Sequence, residues 1–289
     1  MADSLEDDFY IEEEFLPVPF GTKRKNENFG KQNVDTGNSD LPESKEKNAK
    51  KKKRNPKNVE FVLPKNISDQ VLAFNGMLRR AFKGISELEM VEIGLSPENI
   101  NKDMLEHIKT NSELEVFGKK DSKASEEYLG GFVKNALEIF TTYKGDNWQI
   151  NKIKKSARKT IPNGDPQILV ICSSAIRAVD VNRGIKSADG KIVVGKLFSK
   201  HMKAGEQEEY LKTTQIDVAV GTPNRLLKLI ENKALVIDNR LKLVVLDCFV
   251  DNKKRTVLDM NETMADLSNL WKNYLKDKTT DKKLKIILA

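Results

Sequence analysis

Four short stretches of this 289-residue chain carry residue types that can handle phosphate. Ser173 and Ser174 follow the apolar run at 168–172, and Thr222 and Arg225 lie in GTPNRLL at 221–227. Asp247 ends the apolar run LKLVVLD at 241–247. The stretch WQINKIKKSARKT at 148–160 holds Lys152, Lys154, Lys155, Arg158 and Lys159 and no acid. Hydroxyls and helix N-terminal N–H groups bind phosphate oxygens, and an arginine adds a bidentate charge. An aspartate just past a strand is the group that holds magnesium in phosphoryl-transfer sites.

Catalysis needs two more parts, and neither is intact. The phosphate-cradling loop GxxxxGK[ST] works through backbone N–H groups, a lysine and a metal-binding hydroxyl. Its one partial match, GKIVVGKL at 190–197, has Leu197 in place of that hydroxyl, and Ile192, Val193 and Val194 read as strand. Cys248, Phe249 and Val250 follow Asp247, so no acid stands ready to polarise an attacking water. The expectation is a protein with no enzymatic activity, no cofactor and no small-molecule substrate. Two histidines and two cysteines scattered along the chain make no zinc pattern. Simpler roles compete at each phosphate candidate: a helix cap for Thr222 and Pro223, a fold-stabilising hydrogen bond for Arg225, and a solvated helix for 148–160.

The elements that must position these residues begin near residue 161. Short apolar runs at 167–172, 192–198, 216–220, 241–246 and 284–288 read as strands. Helical patterns fall between them at 175–183, 205–211, 223–231 and 257–276. Thr222 stands at a helix start, with Pro223 at the first position, where its missing N–H is harmless. Alternation of this kind implies an α/β fold with a parallel sheet covered by helices on both faces. Ligands of such sheets meet the C-terminal strand ends, which would gather Ser173, Ser174, Thr222, Arg225 and Asp247 on one edge.

Residues 59–160 read as mainly helical. Val71, Phe74, Met77, Leu78 and Phe82 share one side of a helix. Ser96 before Pro97 reads as a helix start leading to Met104 and Leu105, and Ser125 as another leading to Leu129 and Val133. Residues 1–58 carry 12 bases and 12 acids but in separate blocks. Seven acids interleaved with aromatics fill 2–22, and Lys50, Lys51, Lys52, Lys53 and Arg54 form a nuclear-localisation or nucleic-acid patch. Such composition predicts a disordered tail that docks onto basic protein surfaces. From 145 to 289 the chain holds 27 bases against 17 acids, an electrostatic reason to expect a polyanionic partner. Mean hydropathy is −0.53, no run reaches membrane-span length, and Cys172 and Cys248 read as reduced thiols.

GTPNRLL and the later VVLD resemble the GTPGRL and VLDEAD segments of DEAD-box RNA helicases. The run ILVICSSAIRAVDVNR at 168–183 resembles their LVLxPTRELAxQ segment, and the similarity covers roughly 167–289. It implies one RecA-like domain whose Ser173, Ser174, Thr222 and Arg225 stand where helicases touch RNA phosphates. Ala175 replaces the arginine of PTRELA, and Asn224 the glycine of TPGR. Together with the acidic aromatic tail, the lysine-rich linker and KLFSKHMK at 196–203, the chain resembles the fungal Cms family of small-subunit pre-ribosome factors. That resemblance implies a nucleolar, non-catalytic helicase-like scaffold bound to pre-ribosomal RNA, small nucleolar RNA and pre-ribosomal assembly proteins, with no membrane. The alternatives it leaves are a nuclear adaptor in DNA replication or cell-cycle control and an atypical RNA-dependent ATPase. The implied domains are 1–58 (tail), 59–160 (helical) and 161–289 (RecA-like).

Overall fold

The computed structural model describes residues 63–110, 122–142, 161–199, 202–238, 240–280 and 284–289. The chain divides into two units, Met1–Pro56 and Lys57–Ala289, and all described residues lie in the second. The lysine patch at 50–54 and the basic stretch at 148–160 fall outside them, as does the side chain of His107.

Five strands make one parallel sheet among the described residues: β1 (Ile168–Ile171), β2 (Val194–Leu197), β3 (Val218–Gly221), β4 (Leu243–Leu246) and β5 (Lys285–Leu288). Their spatial order is β2-β3-β1-β4-β5. Every residue of β1, β3 and β4 is buried, which is why these strands read as unbroken apolar runs rather than alternating ones. The register sets Leu197, Gly221, Ile171, Leu246 and Leu288 in one row at the C-terminal end.

Helix α5 (Ala175–Ala188) links β1 to β2, and α6 (Ala204–Thr213) links β2 to β3. Helix α7 (Pro223–Glu231) links β3 to β4. Between β4 and β5 runs one long helical stretch: α8 (Asn261–Leu270), a π turn (Trp271–Leu275) and α9 (Lys276–Thr280). The path from β1 to β2 crosses the sheet in one direction and all later paths run in the other. Right-handed crossovers therefore put α5 on one face and α6, α7 and α8 on the other.

The strands are shorter than the apolar runs suggested, because residues such as Ile216, Leu241 and Leu284 are buried in the loops that lead into them. Helix α5 continues to Ala188, past the expected end at 183. The partial phosphate-loop match is a turn running into β2, with Lys196 exposed on the strand.

Before the sheet come α1 (Ile67–Ala81), α2 (Glu87–Ile93), α3 (Lys102–Thr110) and α4 (Ser122–Thr142). Phe74, Met77 and Leu78 of α1 are buried, as the spacing required. Two expectations need correction. Ser96-Pro97-Glu98 opens only a 3-10 turn (Pro97–Asn99), and α3 starts afresh with the Asn101 side chain accepting from Met104 N at 2.9 Å. Helix α4 begins at Ser122, not Ser125. Helix α2 was not foreseen.

Contacts from Gln70 and Asn101 help tie this helical part to the sheet. Gln70 of α1 is fully buried and acts as a substitute strand neighbour for β5: its Nε2 donates to Leu288 O at 3.0 Å, and Leu288 N donates back to its Oε1 at 3.1 Å. Asn101 N donates to Ile286 O at 3.2 Å on the same edge. On the α5 side, α4 crosses at paired glycines. A Cβ on Gly130 would stand 2.2 Å from the Gly184 carbonyl, and one on Gly184 would stand 2.1 Å from Glu126 O. Only glycine permits backbones that close.

At the opposite end of the sheet, Asp165 precedes β1 and is 1% exposed, with Oδ1 unpartnered. Burial pushes its carboxyl up to about 6; Arg240 opposes the shift and Asp238 adds to it. A raised folded-state value means the proton binds more tightly to the folded chain. The stability from this group is present below the unfolded value and is lost as pH rises through about 6. Asp165→Asn is therefore expected to stabilise the protein by about 1–2 kcal/mol at pH 7.5 and by much less at pH 4.5. Urea unfolding at the two pH values checks this; an equal effect at both would exclude titration of Asp165 as the cause.

Candidate nucleic-acid interface at the C-terminal strand edge

Because α5 leaves β1 toward one face while α7 and α8 lie on the other, the C-terminal ends of β1, β3 and β4 flank a topological switch point. That is where open α/β sheets bind ligands. One residue past the last row of the sheet stand Cys172, Thr222 and Asp247. The ladder still holds two of them: Cys172 N donates to Gly221 O at 2.9 Å and Asp247 N to Ile171 O at 3.0 Å. Gly221 is fixed by contact, since a Cβ there would lie 2.4 Å from Leu197 O and 2.8 Å from a Leu226 methyl. Ser173, Ser174, Thr222, Arg225 and Asp247 thus share one edge, though not one chemistry.

Ser174 caps α5, its hydroxyl accepting from Arg177 N at 3.2 Å, and is exposed. Ser173 is buried at 7% exposure. Thr222 occupies the N-cap position of α7 but its side chain makes no capping bond; Pro223 and the carbonyl bond to Leu226 N at 3.0 Å start the helix instead. That corrects the expectation of a hydroxyl cap and leaves Thr222 half-buried with its Oγ1 uncommitted to the helix. Arg225 is engaged within the fold: its Nη1 donates to Gln207 Oε1 at 2.7 Å and Met202 O at 3.1 Å. Gln207 in turn donates to Lys196 O and Phe198 O, so the pair fastens α7 to the end of β2.

Asp247 is fully buried and committed to Arg177, a residue the sequence reading missed. Arg177 Nε donates to Oδ2 at 2.7 Å and Nη2 to Oδ1 at 3.0 Å, with the arginine 4% exposed. Phe249 N donates to Oδ1 as well, and the Phe249 ring lies 4.4 Å from the guanidinium carbon. Burial, then the Asp247 carboxylate, push the neighbouring Cys172 thiol well above its ordinary range, and both cysteines are buried and free. These thiols are structural, since thiolates do the reacting. The carboxylate that would hold a metal is thus neutralised by an internal cation, and both its oxygens are bonded. Among the described residues no group of three or more His, Cys, Asp and Glu side chains could hold a metal ion, and no helix is long and apolar enough to cross a membrane.

Residues 146–289 match the model of a family described as "CMS1: U3-containing 90S pre-ribosomal complex subunit". Over these residues the chain is similar to the CMS1 family. The matched span starts just before the basic stretch and includes all five strands. Protein CMS1 of Chaetomium thermophilum is 41% identical over 128 residues, 44% of this chain and 51% of that one. Protein cms1 of Schizosaccharomyces pombe is 31% identical over 160 residues, 54% of this chain and 57% of that one. Human protein CMSS1 is 26% identical over 228 residues, 76% of each chain. The matches thus span little more than half the length of the two fungal relatives. Among solved structures, a DEAD box protein from Methanococcus jannaschii is similar at TM-score 0.31 and 20% identity, covering 44% of this chain and 32% of that one. Dbp5 of S. cerevisiae bound to RNA and ADP BeF3 is similar at 0.33 and 17%, covering 66% and 44%.

Proposed function

We propose that this chain is a non-catalytic assembly factor of the small-subunit pre-ribosome, acting in the nucleolus on pre-ribosomal RNA and small nucleolar RNA together with pre-ribosomal proteins. The observation that carries the reading is the closed Arg177–Asp247 pair inside a region that matches a pre-ribosomal family. Phosphoryl transfer requires a strand-end carboxylate free to hold magnesium. Here the carboxylate accepts three hydrogen bonds and its charge is already cancelled. Freeing it means separating a buried ion pair, at about 3–5 kcal/mol.

RNA contact is the remaining use of the edge. The exposed Ser174, the half-buried Thr222 and the N-terminal N–H groups of α5 and α7 suit phosphate oxygens. Ser173 and the outer face of Arg225 flank them. Lys152, Lys154, Lys155, Arg158 and Lys159 add backbone charge without reading sequence. Lys50–53 and Arg54 supply a nuclear address. The organisation that goes with this is a tail at 1–58, a helical part at 59–160 and a RecA-like domain at 161–289.

Ultraviolet cross-linking of the tagged protein in cells, with sequencing of attached RNA, tests the proposal. Reads should concentrate on pre-ribosomal and small nucleolar RNA and fall when Lys152, Lys154, Lys155, Arg158 and Lys159 are all changed to Glu. Background reads from a protein still in the nucleus would overturn the RNA role. RNA-stimulated ATP hydrolysis by the purified chain that vanishes in Asp247→Asn would overturn the non-catalytic one.

A further inference from the structure

The loop that follows β4 is tied down at both ends. Near its start the Phe249 ring lies 4.4 Å from the Arg177 guanidinium carbon, so the loop packs on the first turn of α5, beside Ser174. Near its end Arg80 of α1 donates to Leu258 O at 3.1 Å and to Asp259 Oδ1 at 3.3 Å. Between these anchors the chain closes a tight turn on Asp251. Asp251 N donates to Arg255 O and Lys254 N to Asp251 O, both at 2.9 Å. The Asp251 carboxylate accepts from Lys253 N and Arg255 N at 2.8 Å, and from the Arg255 side chain at 2.9 and 3.1 Å. At the tip, Lys253 and Lys254 are exposed. Lys254 has φ +58°, left-handed backbone that favours glycine. A closed turn therefore holds two lysines out at the C-terminal edge of the sheet.

The acids around this turn are all engaged. Asp251 and Glu262 face Arg255 at 2.9 and 3.6 Å, and Asp259 meets Arg80. Along the rest of the edge Asp247 is closed by Arg177, and Glu206 accepts from Lys203 N at 3.0 Å. Lys203, Lys253 and Lys254 meet no acid among the described residues, and Arg225 donates to neutral groups. On the described loops that leave β1 to β4, bases therefore outnumber acids, and the surplus is on side chains without an acidic partner. A positive surplus of this kind attracts a polyanion.

We propose that the turn at 251–255 is a phosphate-contact element, with Lys253 and Lys254 binding the backbone of an RNA strand that passes over Ser174 and the start of α5. Ammonium groups on a fixed turn suit phosphodiester oxygens, which recur along a strand whatever its sequence. The Ser174 hydroxyl can donate to the same strand, since it serves Arg177 N as an acceptor. The inference rests on the RNA-binding reading and deepens it, by naming a contact that neither the helix starts nor the stretch at 148–160 supplies.

The test measures binding of the purified full-length chain to a fluorescein-labelled single-stranded oligouridine, by anisotropy across a salt series. Lys253→Gln with Lys254→Asn removes both charges, and asparagine suits the left-handed position. The control, Lys228→Gln with Lys233→Asn, removes two exposed lysines at the opposite end of the sheet, Lys233 having φ +57°. The turn variant should bind about 20-fold more weakly near 0.1 M salt, and the slope of log affinity against log salt should fall by about 1.4, at about 0.7 per single-strand phosphate contact. The control should keep the parent's slope. A turn variant with the parent's slope, or a control that loses as much, would overturn the proposal and leave the RNA reading standing. Competition by polyglutamate equal to that of unlabelled oligouridine would also overturn it, assigning the turn to an acidic protein surface. A parent chain that binds no oligouridine would overturn both.

Discussion

Arg177→Met is expected to destabilise the folded chain by about 3–5 kcal/mol, because it leaves Asp247 charged, buried and without its main partner. The size follows from the burial of both groups, 4% and 0% exposed, and from the paired bonds between them. The same bridge at the surface would contribute less than about 1 kcal/mol. Replacing both partners separates burial from catalysis. Arg177→Met with Asp247→Leu fills similar volume with apolar atoms and should recover most of the loss, within about 1–2 kcal/mol of the parent. The stacked Phe249 ring would then rest on a methionine, a contact sulfur tolerates well. Urea unfolding of the three chains decides it. A single variant within about 1 kcal/mol of the parent would show that water reaches the pair. A recovered double variant that still cross-links to RNA would show that the pair serves the fold alone.

That pair also shows how far the sequence could be read. The alternation of apolar runs and helical stripes was legible because burial on both faces demands it, and it placed every strand to within a few residues. The register brought Ser174, Thr222 and Asp247 to one edge, as parallel topology requires. What stayed hidden were the polar residues lying inside apolar stripes. Arg177 is in phase with Val181 and Ile185, Gln70 with Phe74 and Met77, and Gln207 with Leu211; all are buried. A side chain of this kind at a core position must have a partner, since leaving it unpaired costs more than most single contacts provide. The periodicity announces that need without naming the partner. Asp247 and the end of β5 are distant in sequence and meet Arg177 and Gln70 only through the strand order, while Gln207 turns back to carbonyls at the end of β2. Helix α2 was illegible for a different reason: seven residues with both faces apolar give no clear stripe, and its hydrogen bonds to Trp271, Lys276 and Asn75 set its place.

Trp271→Ala should cost about 3–5 kcal/mol, the range for truncating a fully buried aromatic. The indole is 1% exposed and meets Phe74 edge-on, with ring centres 4.9 Å apart at 74°. It joins three parts of the fold: the π turn that carries it, α1 through Phe74, and α2 through its bond to Ile93 O. Trp271→Phe keeps much of the packing and removes the N–H, so it should cost about 1–3 kcal/mol for the stranded carbonyl. The two variants also differ locally. Without the indole, α2 loses the anchor at its C-terminal end, and its amides should exchange with solvent faster than those of β1 and β4 under native conditions. Hydrogen exchange read by peptide mass spectrometry, alongside urea unfolding, gives both quantities. Uniform acceleration across the sheet and α2 would mean that Trp271 supports the whole domain evenly. Acceleration confined to 82–95 would mean that the domain stands without it, and that the indole chiefly holds α2 in its exposed position.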